Sequence, residues 1–185
     1  MAARRSSSST ASSVSGIVPL LTRKEFFADL AEQVQRQRPA DQRTLESRAT
    51  MNLLKLHYGA NYRIHYEVWI NTERGYVELG LHFEDGPAST WQLLQHFDTC
   101  ILEIKDELGV QAELERWTQS WGHLYELHPL QPLTDDFVTM LAERVVRFIA
   151  ILQPILDEAY DLGLAPTTPH PSTFHERFRQ RRGRT

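Results

Sequence analysis

The chain has 185 residues, of which 41% are hydrophobic, 24% charged and 10% aromatic. That is the composition of one globular unit with a single core, and no apolar run approaches the ~20 residues of a membrane span. The formal charge is −4, and the single cysteine, Cys100, excludes an intramolecular disulfide framework and any site built on several cysteines.

The charge is unevenly spread. Residues 1–24 carry Arg4, Arg5, Arg23 and Lys24 and no acid, and residues 176–185 carry five arginines against Glu176. The body, 25–175, holds 23 acidic and 11 basic side chains. Such a body repels a phosphate backbone. Nucleic-acid contact is therefore expected only through the tail arginines Arg177, Arg179, Arg181, Arg182 and Arg184, as non-specific and salt-sensitive binding. No phosphate-binding loop, dinucleotide fingerprint or zincin pattern is present.

Residues 1–19 are rich in serine and arginine and too poor in apolar side chains to pack, so they read as a disordered tail. Thr22-Arg-Lys-Glu25 is a capping box. It opens a helix with Phe26, Phe27, Leu30, Ala31 and Val34 on one side. Asp41 can cap a second helix to about His57, with Leu45, Ala49, Leu53 and Leu56 in helical register and Gly59 as its stop. The expectation is a helical pair over 22–57.

The period then changes from helical to alternating. Ile64, Tyr66, Val68 and Ile70 alternate with His65, Glu67 and Trp69, and Val77, Leu79, Leu81 and Phe83 alternate with Glu78, Gly80, His82 and Glu84. These are two half-buried strands joined by a turn at Thr72–Gly75. Their apolar faces agree only where paired residue numbers have an odd sum, such as 145 or 147. After Gly86-Pro87 comes a helix to about Leu108, ended by Gly109. Val110–Trp117 and Trp121–Leu127 read as two further strands. Thr134 opens a long helix carrying Phe137, Leu141, Phe148, Leu152 and Ile155, with Pro154 near its end.

Residues 62–160 thus repeat one pattern, strand–turn–strand–helix, twice. Two ββα units make a four-stranded antiparallel sheet with long helices on one face. With the N-terminal helical pair, the expected fold class is α+β, one domain over 20–162, followed by a Pro- then Arg-rich disordered tail at 163–185.

The face opposite the long helices carries the informative residues: His65, Glu67, Trp69, Glu78, His82, Glu84 and Trp117, with Glu113 and Glu115 beside them. Tryptophans among glutamates do not suit a solvated sheet. Either the N-terminal helices cover them, which is the first expectation, or a protein partner or second copy does. In the register summing to 147, His65 lies opposite His82. Two imidazoles with Glu84 would then suit a divalent transition metal and a metal-assisted hydrolysis. The simpler reading is a polar interaction face with no catalytic residue, no metal and no cofactor. Glu84 and Asp85 could form an acid/base pair, but Asp85-Gly86-Pro87 is also ordinary turn chemistry at a strand end.

The residues Val77-Glu-Leu-Gly-Leu-His-Phe-Glu84, Glu107-Leu-Gly109, Glu113-Leu-Glu-Arg-Trp117, Leu124-Tyr125 and Leu133-Thr-Asp-Asp-Phe137 form one series. The helix with Leu141-Ala-Glu143, Phe148 and Pro154 continues it. Together, residues 62–157 resemble an uncharacterised domain that often follows a restriction-endonuclease-like domain in bacterial proteins. The resemblance implies a small α+β module attached to DNA-processing or defence proteins and transfers no catalytic residue. The 60 residues before the match are too few for a nuclease domain. The expectation is a cytoplasmic, non-catalytic interaction module.

Overall fold

The computed structural model describes residues 19–38 and 43–169. Helix α1 (Arg23–Gln37) begins at the expected capping box: Thr22 Oγ1 accepts from the Glu25 amide, and the Thr22 amide donates back to the Glu25 carboxylate at 2.8 Å. Its buried stripe is Phe26, Phe27, Leu30 and Val34.

The second N-terminal helix is not there. Residues 45–58 form a hairpin, β1 (Leu45–Ala49) and β2 (Leu53–Tyr58), paired antiparallel with Leu45 opposite Tyr58 and Ser47 opposite Leu56. The reason lies in the parity of the pairing. Paired numbers sum to an odd value, so odd positions of β1 share a face with even positions of β2. Leu45 therefore joins Leu54 and Leu56 on the core face; Ala49, at the end of β1 on that same face, is exposed, and Leu53, on the other face, is half-buried. The Leu45/Ala49/Leu53 spacing that looks helical spans the turn between two strands. Asp41 lies outside the described residues.

The central strands follow the alternation. β3 (Ile64–Asn71) and β4 (Tyr76–Phe83) pair in the register summing to 147, with Ile64 opposite Phe83 and His65 opposite His82. Beyond β4, the expected single helix is two: α2 (Pro87–Thr99) and α3 (Ile101–Leu108), parted at Cys100, whose ψ of 11° leaves the helical region. Gly109, at φ 104°, ends α3 as expected. Strands β5 (Glu113–Arg116) and β6 (Gly122–Pro129) form a second hairpin, and β6 pairs with β4. Helix α4 (Asp135–Asp161) closes the described fold, capped by Thr134 and continuing through Pro154.

The fold is α+β, but the sheet has six strands rather than four, in the order β1-β2-β3-β4-β6-β5, with every pairing antiparallel. The N-terminal hairpin extends the two ββα units at the β3 edge. Among the described residues no helix is long and apolar enough to cross a membrane. The chain stays on the body past α4: Ala165 is buried and Asn61 Nδ2 donates to the Pro166 carbonyl at 2.7 Å. Of the expected tails at 1–19 and 163–185, residues 1–18 and 170–185 lie outside the described residues.

All four helices pack on one sheet face. Phe26 of α1 meets Phe137 of α4 at 5.6 Å between ring centroids, and Phe83 of β4 meets Phe97 of α2 at 5.2 Å. Between α4 and this face lies one buried charge pair. Arg144 grips both carboxylate oxygens of Glu126 and also donates to the Leu108 carbonyl, so one guanidinium joins α4, β6 and the end of α3. His128 Nε2 is 2.6 Å from the same carboxylate. Burial alone would raise the Glu126 carboxyl. The hydrogen bonds from Arg144 and His128 outweigh it and hold the group below its ordinary 4.5.

Because the folded-state value is lowered, this stabilisation is complete above the ordinary carboxylate range and is lost as pH falls through the folded value. Arg144→Ala strands a buried carboxylate, and is expected to cost about 3–5 kcal/mol in urea unfolding at neutral pH. The gap to wild type should shrink in acid as Glu126 protonates. A loss below ~1 kcal/mol at neutral pH would contradict this role.

Candidate functional site

The opposite sheet face is built by the alternate residues of the same strands. The registers place three histidines in one row: His65 of β3 opposite His82 of β4, and His82 opposite His123 of β6. The rings follow. His65 and His82 stack at 5.6 Å, and His82 meets His123 edge-on at 5.1 Å. His123 is further enclosed by Trp117 at 5.6 Å and Tyr125 at 4.1 Å, both stacked on it. All three histidines are at least 96% buried. Around them stand one another, the carboxylates of Glu67, Glu78 and Glu84 and, at His123, two aromatic rings.

No helix lies on this face among the described residues. The expectation that the N-terminal helices cover it is overturned: α1 packs with α4 on the far side. Trp69 is half-buried and Trp117 is 52% exposed. Every residue expected on the face is there, and the structure adds Lys55, Tyr76, His123 and Tyr125.

The carboxylates divide into two sets around His82. On one side, Lys55 Nζ stands 3.2 Å from both Glu67 and Glu84, and His65 Nε2 is 3.3 Å from Glu67. Glu84, which could have formed an acid/base pair with Asp85, is an ion-pair partner of Lys55. Asp85 points elsewhere, accepting from Asn61 at 2.9 Å in a buried position. On the other side, Glu78 Oε1 lies 3.2 Å from His123 Nδ1 and 3.4 Å from His82 Nε2.

The local electrostatics follow from burial and these contacts. Burial lowers the His65 imidazole, which favours the neutral ring, and its hydrogen bond to Glu67 only partly offsets that. Burial alone would raise Glu67 and Glu78. Hydrogen bonds from His65 to Glu67 and from His123 to Glu78, together with the nearby His82 imidazole, bring each down to about 2. Tyr125 is pushed up to about 12 by burial and by the bond its hydroxyl donates to Glu115 at 3.1 Å. At neutral pH the floor of this face is a set of anionic carboxylates against buried imidazoles.

Three imidazole nitrogens are buried without a hydrogen-bond partner: His65 Nδ1, His82 Nε2 and His123 Nε2. Beside the row, a groove of ≈ 670 Å³ opens toward the β3–β4 turn, with Trp69, Tyr76, Trp117 and Tyr125 among its walls and Glu78 and His123 at its floor.

Gly80 makes the arrangement possible. It lies opposite Tyr125, and a Cβ there would sit 2.8 Å from both the Leu124 carbonyl oxygen and the Tyr125 Cβ. Gly80→Ala is therefore expected to destabilise by about 1–3 kcal/mol and to displace Tyr125 from His123. Thermal unfolding and the His123 ring shifts in NMR check this; an unchanged Tm with unchanged shifts would contradict it.

Lys55 was hidden from sequence reasoning because 41–57 reads as a helix. His123 is obscured in the sequence because its strand alternates less cleanly; only a register carried across β4 places it beside His82. Comparison with protein-family models, curated proteins and solved structures finds no match to this chain.

Proposed function

We propose that this protein is a non-catalytic interaction module that receives a positively charged segment of a partner protein on its open sheet face. The observation that carries the reading is the groove's chemistry. Glu73, Glu78 and Glu115 line it together with Trp69, Tyr76, Trp117 and Tyr125, against the single lining cation Arg74. Aromatic faces beside carboxylates suit arginine and lysine side chains, through cation–π contact and charge pairing. Exposed tryptophans and tyrosines are also the residue types that dominate binding energy at interfaces. The pairing of Glu84 with Lys55 favours this reading over an acid/base reaction at the strand end.

The resemblance of residues 62–157 extends the proposal: the partner it implies is a bacterial DNA-processing or defence protein. Direct nucleic-acid contact has less support. The groove's charge opposes a phosphate backbone, and Arg177, Arg179, Arg181, Arg182 and Arg184 lie outside the described residues.

The test uses the full chain and two nonapeptides, one rich in arginine and lysine and one in which glutamate replaces each basic residue. Calorimetry is expected to detect the basic peptide only, with binding that weakens as salt rises. Trp117→Ala and Glu115→Gln are each expected to weaken it by roughly 5-fold or more, the scale of one cation–π or charge contact. Equal binding of the two peptides, no binding of either, or insensitivity to both substitutions would overturn the proposal.

A further inference from the structure

We propose that Glu78, His82 and His123 form a mononuclear site for a divalent transition metal, with two imidazole ligands, one carboxylate ligand and a further position open to the groove. The site stands on its own geometry and does not rest on the partner reading.

Strand pairing fixes the three side chains. Glu78 and His82 are four apart on the same face of β4, and His123 of β6 lies directly opposite His82. One ligand atom from each residue can be chosen so that all three lie within 4.8 Å of one another. Metal–ligand bonds of about 2.0–2.1 Å in a tetrahedron put neighbouring ligand atoms ~3.3 Å apart. Glu78 Oε1 already stands 3.2 Å from His123 Nδ1 and 3.4 Å from His82 Nε2.

A second observation separates this from a simple ion-pair cluster. His82 is 97% buried, yet its Nε2, aimed at Glu78, has no hydrogen-bond partner. A buried ring nitrogen left this way calls for an explanation, and a lone pair directed at a cation supplies one. Metal-bound histidines pair their other ring nitrogen with an outer carboxylate, and two carboxylates stand just beyond hydrogen-bond distance for that role. Glu115 Oε2 is 3.7 Å from His123 Nε2, and Glu84 Oε1 is 4.0 Å from His82 Nδ1. Each imidazole thus has a carboxylate near its other nitrogen that could orient the ring once a metal is bound.

The neighbouring set of His65, Glu67, His82 and Glu84 has the same ligand types. There, Lys55 Nζ sits 3.2 Å from both carboxylates and already holds the cation position. No lysine or arginine is paired with Glu78 among the described residues. Two imidazoles and one carboxylate with an open position suit zinc, cobalt or ferrous iron rather than magnesium or calcium. Glu78 and His123 line the groove, so the open position faces whatever enters it.

The test is titration of the chelator-treated full chain with Co²⁺, followed by visible absorption, and with Zn²⁺, followed by calorimetry. One equivalent of each is expected to bind, and Zn²⁺ should bleach the cobalt bands. Outer-shell partners are worth about 10–100-fold in affinity. Glu115→Gln is therefore expected to weaken Zn²⁺ about 10-fold, and Glu78→Gln or His123→Asn at least ~100-fold. His65→Ala should bind as wild type does. In wild type, which removes any concern about variant folding, Zn²⁺ should shift the ring resonances of His82 and His123 more than those of His65. Absence of stoichiometric binding would overturn the site. So would binding that survives Glu78→Gln, or shifts confined to His65.

Discussion

The pairing of β4 with its two neighbours is the constraint on which the rest depends. Position 82 faces 65 on one side and 123 on the other. A slip of one residue in either ladder would turn a whole strand over. Leu79, Leu81 and Phe83 would leave the core for the open face, and His82 would enter the core. The apolar burial that fixes this register also fixes the histidine row. The site is thus a by-product of core packing rather than a set of independently positioned loops.

The two faces of the sheet treat charge differently. On the helix side, the buried carboxylate Glu126 is satisfied by a bidentate arginine and a histidine. That is what a stabilising internal ion pair requires. On the open side, imidazole nitrogens stay unpartnered and carboxylates outnumber the cations they meet. The first arrangement is complete in itself, and the second is the one we propose is completed from outside. A basic segment and a divalent cation would both offset the same negative charge, so their binding would be linked with opposing sign.

Much of this was legible in the sequence. Alternation in 63–84 gave both central strands and their hairpin, and it narrowed the register to odd sums such as 145 or 147, of which the structure has 147. The Thr22 and Thr134 caps and Gly109 located the helix ends. The N-terminal hairpin was not legible. Leu45, Ala49 and Leu53 satisfy a helical spacing, and only the change of face across residues 50–52 shows that two strands are present. Lys55 was lost with it. His123 escaped for another reason: its significance lies in what stands opposite, and the strand-local pattern Gly122-His-Leu-Tyr-Glu126 mixes glycine and a buried acid into the core face. Face content could be read from single strands, whereas the row of three rings requires two registers at once.

The central claim is that the two ladders set His65, His82 and His123 side by side on one face, which no helix covers among the described residues. The most direct measurement is the pattern of nuclear Overhauser contacts among the three imidazole rings in the isotope-labelled full chain. The account predicts that the His82 ring protons see both neighbours, consistent with centroid separations of 5.6 and 5.1 Å, and that the His123 ring sees Trp117 and Tyr125. A His82 ring that contacts core leucines, or only one of the two histidines, would contradict it.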